Sequence, residues 1–462
     1  MKKFSVVKFG GGLLDPKGKS IPTILERIKE LKSKDDLGPI VVFSAPTGFT
    51  DELITIGESC TQAKPFSTSS IFKTYEKMAK TYAKGAYQKP LLTELKTNQK
   101  QTNEAIGLIN KRFHGNAKAK LLTSGGELPT SVVMEYIMKA NGLNSCTIPK
   151  ENWPIVTDDN FENATPLYEA SKKRLSNLIE PLERGKIISF AGFLGVTADG
   201  LETILGRGGS DLTAVFISCL LKNRYQVETL LFKDLPVQSA DPRVVKKQKT
   251  QYVISLTYNE AHKASLMGMT IVQGSAISMA RQFKQPIKIV PIHAPEKYTV
   301  IEAESVTKET VKCVTGKSGC AILSINDEKS RSLEDSLRIW EGHNDFLDLG
   351  TETLETGVRI RDFLFLDSAF LRKNEERLKG FDENLAIEYV VGVVTLIGDG
   401  MKNSSGVAST AIAAIPEINI KRGIFAPHTS QRILVVEEKN VDVTVSAIHH
   451  KRNEMNKQTR TL

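Results

Sequence analysis

The feature that most constrains the fold is a series of short, continuously apolar runs within the first 300 residues. Each run is rich in β-branched residues and is separated from the next by a segment with helical periodicity. Strands that are apolar on both faces and alternate with helices are typical of a parallel sheet covered on both sides. The runs are FSVVKF from Phe4, IVVFS from Ile40, KIISF from Lys186, ETLLFK from Glu228 and IKIVPI from Ile287. We therefore predict an α/β domain with a mostly parallel open sheet, and a ligand site beyond the carboxyl ends of its strands.

Length and composition add limits on the kind of protein. A chain of 462 residues exceeds what one hydrophobic core usually supports, so we expect two or three domains. With 40% hydrophobic and 25% charged residues and no signal-like or membrane-spanning apolar run, we expect a soluble globular protein without a membrane partner. The net charge of +9 is scattered, which favours anionic ligands over nucleic acid. Five cysteines without metal-ligand spacing or a predicted disulfide indicate a cytoplasmic location.

The stretch LETILGRGGSDLTAVFISCLL places an arginine and glycines directly before a helical apolar stripe. Ser210 or Asp211 is the expected N-cap of this helix. Bare backbone N–H groups at a helix start attract anions, and the planar guanidinium of Arg207 suits a carboxylate or phosphate. The alternative is a tight turn with an ordinary helix cap.

Other loops that follow predicted strands have similar chemistry. In VKFGGGLL, Lys8 precedes Gly10, Gly11 and Gly12, which allow close approach of a phosphate chain, although a plain turn fits as well. SAPTGFTD, residues 44–51, is rich in hydroxyls and leads into a helix, for which it is otherwise a simple cap. Glu127 follows two glycines at a helix start, either as a surface acid that stabilises the helix dipole or as a carboxylate that binds an ammonium group.

Taken in order, these loops resemble the aspartate kinases of the amino-acid kinase superfamily. The resemblance rests on KFGG from Lys8, SGGE from Ser124, GRGGSD from Gly206 and ADPR from Ala240. It implies a catalytic domain over residues 1–300 and two α+β, ferredoxin-like ACT modules, one over residues 305–382 and one over 383–462. ACT modules bind regulatory amino acids at subunit interfaces, so the resemblance implies a homodimer or larger assembly. The modules then either bind an amino-acid effector or serve only as a dimerisation platform without one. Glu352 stands where the first module's ligand strand has a hydroxyl, which disfavours lysine as that effector.

The resemblance implies transfer of the ATP γ-phosphoryl group, with Mg²⁺, to the side-chain carboxylate of L-aspartate. The product is 4-phospho-L-aspartate, and the reaction is the first step toward lysine, threonine and methionine. Arg207 would bind the α-carboxylate and Glu127 the α-ammonium, and Lys8 and Asp211 would be catalytic. The remaining implied substrate residues are Ser44, Thr50 and Ser210, and the implied nucleotide-binding residues are Lys8, Gly10, Gly11, Gly12, Lys233, Asp234 and Arg243. No side chain is assigned to a metal.

The chain departs from the family pattern on the nucleotide side. Gly12-Leu13 replaces Thr-Ser, the loop after Lys233 is shorter, and Thr270 stands where a phosphate-side lysine is expected. Lys233 either replaces that cation or faces solvent. Two further interpretations stay open: a kinase of the same superfamily that acts on a related amino acid or acidic metabolite, and a catalytically weak regulatory subunit that binds amino acids.

Overall fold

A computed structural model describes residues 1–109, 112–246, 250–307, 309–340, 346–426 and 429–458. The chain forms two compact units, residues 1–236 with 272–304 and residues 237–271 with 305–462. This division differs from the predicted boundary at residue 300, because residues 237–271 pack with the C-terminal part of the chain. No helix in the part of the chain that the structure describes is long and apolar enough to cross a membrane.

The strands are β1 (Lys3–Phe9), β2 (Ile40–Phe43), β3 (Ser145–Thr147), β4 (Ile187–Ala191), β5 (Leu194–Val196), β6 (Glu202–Ile204), β7 (Gln226–Lys233), β8 (Ser255–Thr257), β9 (Ile287–Pro291), β10 (Thr299–Glu302), β11 (Cys313–Asn326), β12 (Phe346–Thr353), β13 (Arg359–Phe365), β14 (Ala386–Ile397), β15 (Ile420–Ile424) and β16 (Gln431–Glu437). The helices are α1 (Ile21–Lys34), α2 (Phe49–Thr61), α3 (Ser69–Tyr82), α4 (Gln88–Gly107), α5 (Gly115–Gly125), α6 (Glu127–Ala140), α7 (Tyr168–Lys172), α8 (Ser176–Glu183), α9 (Gly209–Leu221), α10 (Tyr258–Leu266), α11 (Gly274–Phe283), α12 (Asp327–Ile339), α13 (Ser368–Lys379), α14 (Val407–Ala413), α15 (Val441–His450) and α16 (Arg452–Gln458).

The first unit contains the predicted open sheet. Its strands follow the order β3-β4-β2-β1-β7-β9-β10, and all neighbours are parallel except β9 and β10. The five apolar runs of the sequence correspond to β1, β2, β4, β7 and β9. In the central strands Phe9 stacks on Phe232, with ring centroids 4.8 Å apart. Because β1, β2 and β7 are parallel neighbours, the loops after them emerge at the same edge of the sheet.

A layer of helices positions one of these loops. Tyr75 of α3 is fully buried, and its hydroxyl donates to the carbonyl of Gly126, 2.7 Å away. Gly125 lies against Leu53 of α2, since a Cβ built on it would approach the leucine side chain to 2.6 Å. These contacts fix the turn between α5 and α6, and therefore the position of Glu127.

The second unit is built on an antiparallel sheet with the strand order β12-β13-β11-β14-β16-β15. It has two cores on the helix-covered side. One contains Ala321 of β11, Leu333 of α12, Phe363 of β13 and Leu371 of α13. The other joins Val314 at the start of β11 to residues of β14, α14, β16 and α15. Strand β11 therefore contributes residues to both cores.

Candidate active site

The GRGGSD residues, 206–211, form a glycine-rich turn and the first residues of α9. Gly206 and Gly208 both have a φ of 72°, a left-handed conformation that favours glycine. A side chain at Gly206 would collide with Asn163, which limits that position further. The helix begins at Gly209 with Gly208 as N-cap, so the prediction that Ser210 or Asp211 caps it is wrong. Both residues lie in the first turn and are buried. Because neither caps the helix, their side chains are available for other contacts.

Lys8 and Asp211 form a buried ion pair at the carboxyl end of β1. The Lys8 Nζ lies 2.6 Å from Asp211 Oδ1, and the two side chains are 11% and 7% exposed. Burial by itself would raise the pKa of Asp211, but Lys8, Lys233 and the N–H group of Gln273 together hold that pKa below its ordinary value. Asp211 is therefore a carboxylate in a cationic environment, and the catalytic roles of Lys8 and Asp211 stay predictions.

The glycines after β1 place backbone beside this pair. A Cβ at Gly10 would lie 3.2 Å from the Lys8 Nζ, so the lysine folds over the Gly10 backbone. A Cβ at Gly11 would lie 2.8 Å from the carbonyl oxygen of Ala45, and Thr47 Oγ1 donates to the carbonyl of Gly11 at 2.7 Å. The loops after β1 and β2 therefore pack together at Gly11, where a larger residue would separate them.

Glu127 lies at the start of α6 and is buried. Its Oε1 accepts a hydrogen bond from the N–H group of Ala45, 3.2 Å away. Burial raises the pKa of Glu127 to about 7, against the opposing effects of the Ala45 N–H and the positive charge of Lys8. The interpretation of Glu127 as a surface acid is wrong, since the carboxyl group is enclosed and lies within electrostatic range of Lys8.

The other predicted substrate residues occupy the same edge with different degrees of exposure. Ser210 is buried against Gly192, where a Cβ would lie 2.6 Å from Ser210 Oγ. Ser44 follows β2, Thr50 lies in the first turn of α2, and both are half-buried. Arg207 is exposed, and among the described residues it makes no hydrogen bond or ion pair.

The predicted nucleotide residues beyond β7 separate into two groups. Lys233 ends β7 and is half-buried; burial lowers its pKa, Asp211 raises it and Lys8 lowers it. Asp234 is exposed. Arg243 belongs to the second compact unit, where it forms an ion pair with Asp241 at 2.6 Å, so its proposed role stays a prediction.

Sequence reasoning missed Gln273, the N-cap of α11. Its N–H group helps to lower the pKa of the Asp211 carboxyl group, and a Cβ built on Gly208 would lie 3.1 Å from the Gln273 Cβ. The contact depends on packing between helices about 60 residues apart, which leaves no local signal in the sequence. The described residues contain no group of three or more His, Cys, Asp or Glu side chains placed to hold a metal.

A parallel α/β sheet with a lysine, a buried carboxylate and bare glycine backbone at its carboxyl edge defines a class of enzyme that binds phosphorylated ligands. Residues 3–291 match the amino acid kinase family, and the chain belongs to that family.

Aspartokinases are among the similar proteins. The chain is 26% identical over 343 residues to an aspartokinase of Helicobacter pylori, covering 71% of this chain and 82% of that protein. It is 24% identical over 375 residues to one of Pseudomonas aeruginosa, covering 76% and 86%. A structure of E. coli aspartokinase III in complex with aspartate and ADP is similar in fold, with a TM-score of 0.79, 17% identity and coverage of 97% of this chain and 99% of that one. The predicted resemblance to aspartate kinases and the predicted fold class are confirmed.

Proposed function

We propose that this protein is an aspartate kinase, which transfers the γ-phosphoryl group of ATP to the side-chain carboxylate of L-aspartate and forms 4-phospho-L-aspartate. The observation that carries this proposal is the buried Lys8–Asp211 pair beside the Gly10–Gly11 turn, with the Glu127 carboxyl group nearby. The names of the curated relatives support aspartate as the acceptor. Phosphoryl transfer to a carboxylate needs positioning and charge neutralisation more than a strong base, because the acceptor is already ionised.

On the acceptor side, Arg207 binds the α-carboxylate and Glu127 the α-ammonium group. The exposed guanidinium of Arg207 has no competing described partner, which leaves its planar donors available for a ligand. Ser44, Thr50 and Ser210 complete the pocket. A buried carboxylate favours a cationic ligand group strongly, since without one it must lose its charge or pay the cost of desolvation.

On the phosphate side, Lys8 and the backbone of Gly10, Gly11 and Gly12 face the phosphates, while Asp211 orients Lys8. Lys233, Asp234 and Arg243 are proposed as further nucleotide-binding residues. Mg²⁺ commonly binds through substrate phosphates with one or two carboxylates, which fits a site without a dedicated cluster of protein ligands among the described residues. When bound, Mg²⁺ would neutralise phosphate charge and help to orient the transferring group.

The wider role follows from the same proposal. The reaction would be the first step toward lysine, threonine and methionine in the cytoplasm. The second unit would contain the ACT modules, with an assembly of two or more chains and an amino-acid effector. The segments 305–382 and 383–462 stay proposals for the limits of these modules, and 1–300 for the catalytic domain.

An acyl-hydroxamate assay tests the proposed reaction, because hydroxylamine traps the acyl phosphate product. L-Aspartate, L-glutamate and N-acetyl-L-glutamate are supplied with ATP or GTP, and Lys8→Met serves as the inactive control. We expect a product from aspartate with ATP and none from the N-acetylated acid, since acetylation removes the cation that pairs with Glu127. Equal turnover of N-acetylglutamate, or no turnover of aspartate, contradicts the proposal.

A further inference from the structure

The side chain of Gln273 lies against the turn that carries Arg207. A Cβ built on Gly208 would lie 3.1 Å from the Cβ of Gln273, 3.4 Å from its Cγ and 3.5 Å from its Cδ. The glutamine therefore runs along the bare backbone of Gly208, the residue that follows Arg207 in the chain. All three residues belong to the first compact unit, so this contact is formed within that unit.

The carboxamide oxygen of Gln273 is buried and accepts no hydrogen bond from the described residues. Most buried polar atoms in folded proteins have a partner, because burial removes the hydrogen bonds that the atom makes to water. An acceptor that is buried without a donor is unfavourable. The free protein can therefore gain a hydrogen bond at this oxygen if ligand binding brings a donor to it.

Arg207 has the donors that such an oxygen needs. Its exposed guanidinium group makes no hydrogen bond or ion pair with described residues. A guanidinium group only donates hydrogen bonds, and a bidentate contact with a carboxylate uses some of its N–H groups and leaves others for a protein acceptor. An unpaired donor and an unpaired acceptor thus lie on either side of Gly208.

We propose that Gln273 is a positioning residue of the acceptor site: when the substrate α-carboxylate draws Arg207 inward, the carboxamide oxygen of Gln273 accepts a hydrogen bond from the guanidinium group. This role rests on the proposed binding of aspartate by Arg207. The hydrogen bond holds the plane of the guanidinium group in the orientation that suits the carboxylate. Glycine at position 208 leaves room for the carboxamide, since a Cβ there would press on the glutamine side chain.

Equilibrium binding of L-aspartate to the full chain, together with urea unfolding, tests this role. Gln273→Met keeps an unbranched side chain of similar length but removes the carboxamide. We expect the Kd for aspartate to rise by on the order of tenfold, as for the loss of one hydrogen bond to a charged group. The midpoint of urea unfolding should stay the same or rise, because the unpaired polar atom is removed. A purely structural role for Gln273 would lower that midpoint.

Gln285→Met is the matched control. Gln285 is a buried glutamine of the same unit, and its Nε2 donates to the carbonyl of Val227 at 3.1 Å and to the hydroxyl of Thr229 at 3.2 Å. Since this carboxamide is already paired, its removal should lower the urea midpoint and leave aspartate binding unchanged. The two glutamine variants should therefore change stability and binding in contrasting ways.

A double-mutant cycle tests whether Gln273 acts through Arg207. In the Arg207→Met protein, adding Gln273→Met should leave the Kd for aspartate unchanged, because the guanidinium group is already absent. In the single variant Gln273→Met, the KM for aspartate should rise while kcat and the KM for ATP change little. The reason is that the N–H group of Gln273 that acts on Asp211 belongs to the backbone and is retained.

Independent effects of the two substitutions on aspartate binding, or a lower urea midpoint in Gln273→Met, overturn this role of Gln273 and leave the proposed reaction standing. If the wild-type protein binds no aspartate, the proposed acceptor fails and the role of Gln273 fails with it.

Discussion

Lys8 and Asp211 lie 2.6 Å apart in a site where both side chains are almost completely buried. They come from elements about 200 residues apart, the end of β1 and the first turn of α9, which meet because α9 packs against β1 and β7. Breaking a buried ion pair by removing one partner costs more than the pair itself contributes, because the remaining charge stays desolvated. The site therefore depends on Asp211 for its structure as well as for its proposed chemistry.

We expect Asp211→Asn to lower the free energy of unfolding by about 3–5 kcal/mol, the typical cost of leaving a buried charge without its partner. Phosphoryl transfer should fall by at least about 10²-fold, since Lys8 loses the group that orients it. Denaturant unfolding and the hydroxamate assay measure the two effects.

Asp35→Asn is the matched control for this variant. Asp35 accepts hydrogen bonds from the N–H and hydroxyl groups of Ser5, and burial raises its pKa to about 6. Its neutral form is therefore already accessible, so the substitution should change stability by less than about 1 kcal/mol. Similar losses in the two variants would argue against a special role for the Lys8–Asp211 pair.

The raised pKa of Glu127 leads us to expect that aspartate binding depends on pH. Its pKa of about 7 lies above the ordinary 4.5, so the free protein carries a neutral Glu127 below pH 7 and a carboxylate above it. The KM for aspartate should fall as the pH rises from 6 to 8, because the carboxylate is the form that binds the ammonium group. Protein stability changes in the opposite direction with pH. The contribution of neutral Glu127 to the free energy of unfolding is complete below pH 4.5 and is lost as the pH rises through 7.

Glu127→Gln should raise the KM for aspartate and remove its pH dependence between 6 and 8. Glu135→Gln is the control, since Glu135 is a buried glutamate on the same helix that pairs with Lys139. Its KM profile should follow the wild type. A profile that persists in Glu127→Gln would place the titrating group elsewhere.

Substitution of Arg207 should weaken aspartate binding without changing the stability of the protein. The exposed side chain makes no hydrogen bond or ion pair with described residues, so Arg207→Lys should leave the free energy of unfolding within about 0.5 kcal/mol of the wild type. The same change should lower kcat/KM for aspartate by an amount that corresponds to roughly 2–4 kcal/mol of lost transition-state stabilisation. The reason is that lysine cannot make the bidentate contact of the guanidinium group. Steady-state kinetics over aspartate concentration measure this, and an unchanged KM would remove Arg207 from the acceptor site.

The sequence predicts much of the first unit because its signals are local. Continuous apolar runs identify the parallel strands, and their pairing places Lys8 at the carboxyl edge of the sheet. Asp211 and Glu127 reach Lys8 through the helices α9 and α6, whose starts the glycines mark in the sequence. The Gly208 N-cap was missed because side-chain caps are the commoner solution, and the left-handed glycine turn replaces one here. The contact of Gln273 with α9, and the packing of residues 237–271 with the C-terminal part of the chain, depend on distant segments, and periodicity carries no information about such contacts.

Contacts within the second unit lead us to expect that residues 237–271 cannot stay folded without the C-terminal region. Glu260 of α10 is fully buried, and its carboxylate lies 2.9 Å from the Nζ of Lys312, which is also buried. Glu260 also accepts from the N–H groups of Thr257 and Asp399. A chain that ends at Glu304 loses Lys312 and Asp399, together with the apolar partners of Ala240 and Val245.

We therefore expect the chain truncated at Glu304 to aggregate, as measured by size-exclusion chromatography and light scattering. The full-length Lys312→Met variant isolates the electrostatic part of this effect. It should stay soluble while its free energy of unfolding falls by about 3–5 kcal/mol, because Glu260 is left as a buried charge without a cation. If the truncated chain stays soluble and unfolds as cooperatively as the full chain, residues 237–271 must find their partners within the first unit. The catalytic domain would then be independent of the C-terminal modules.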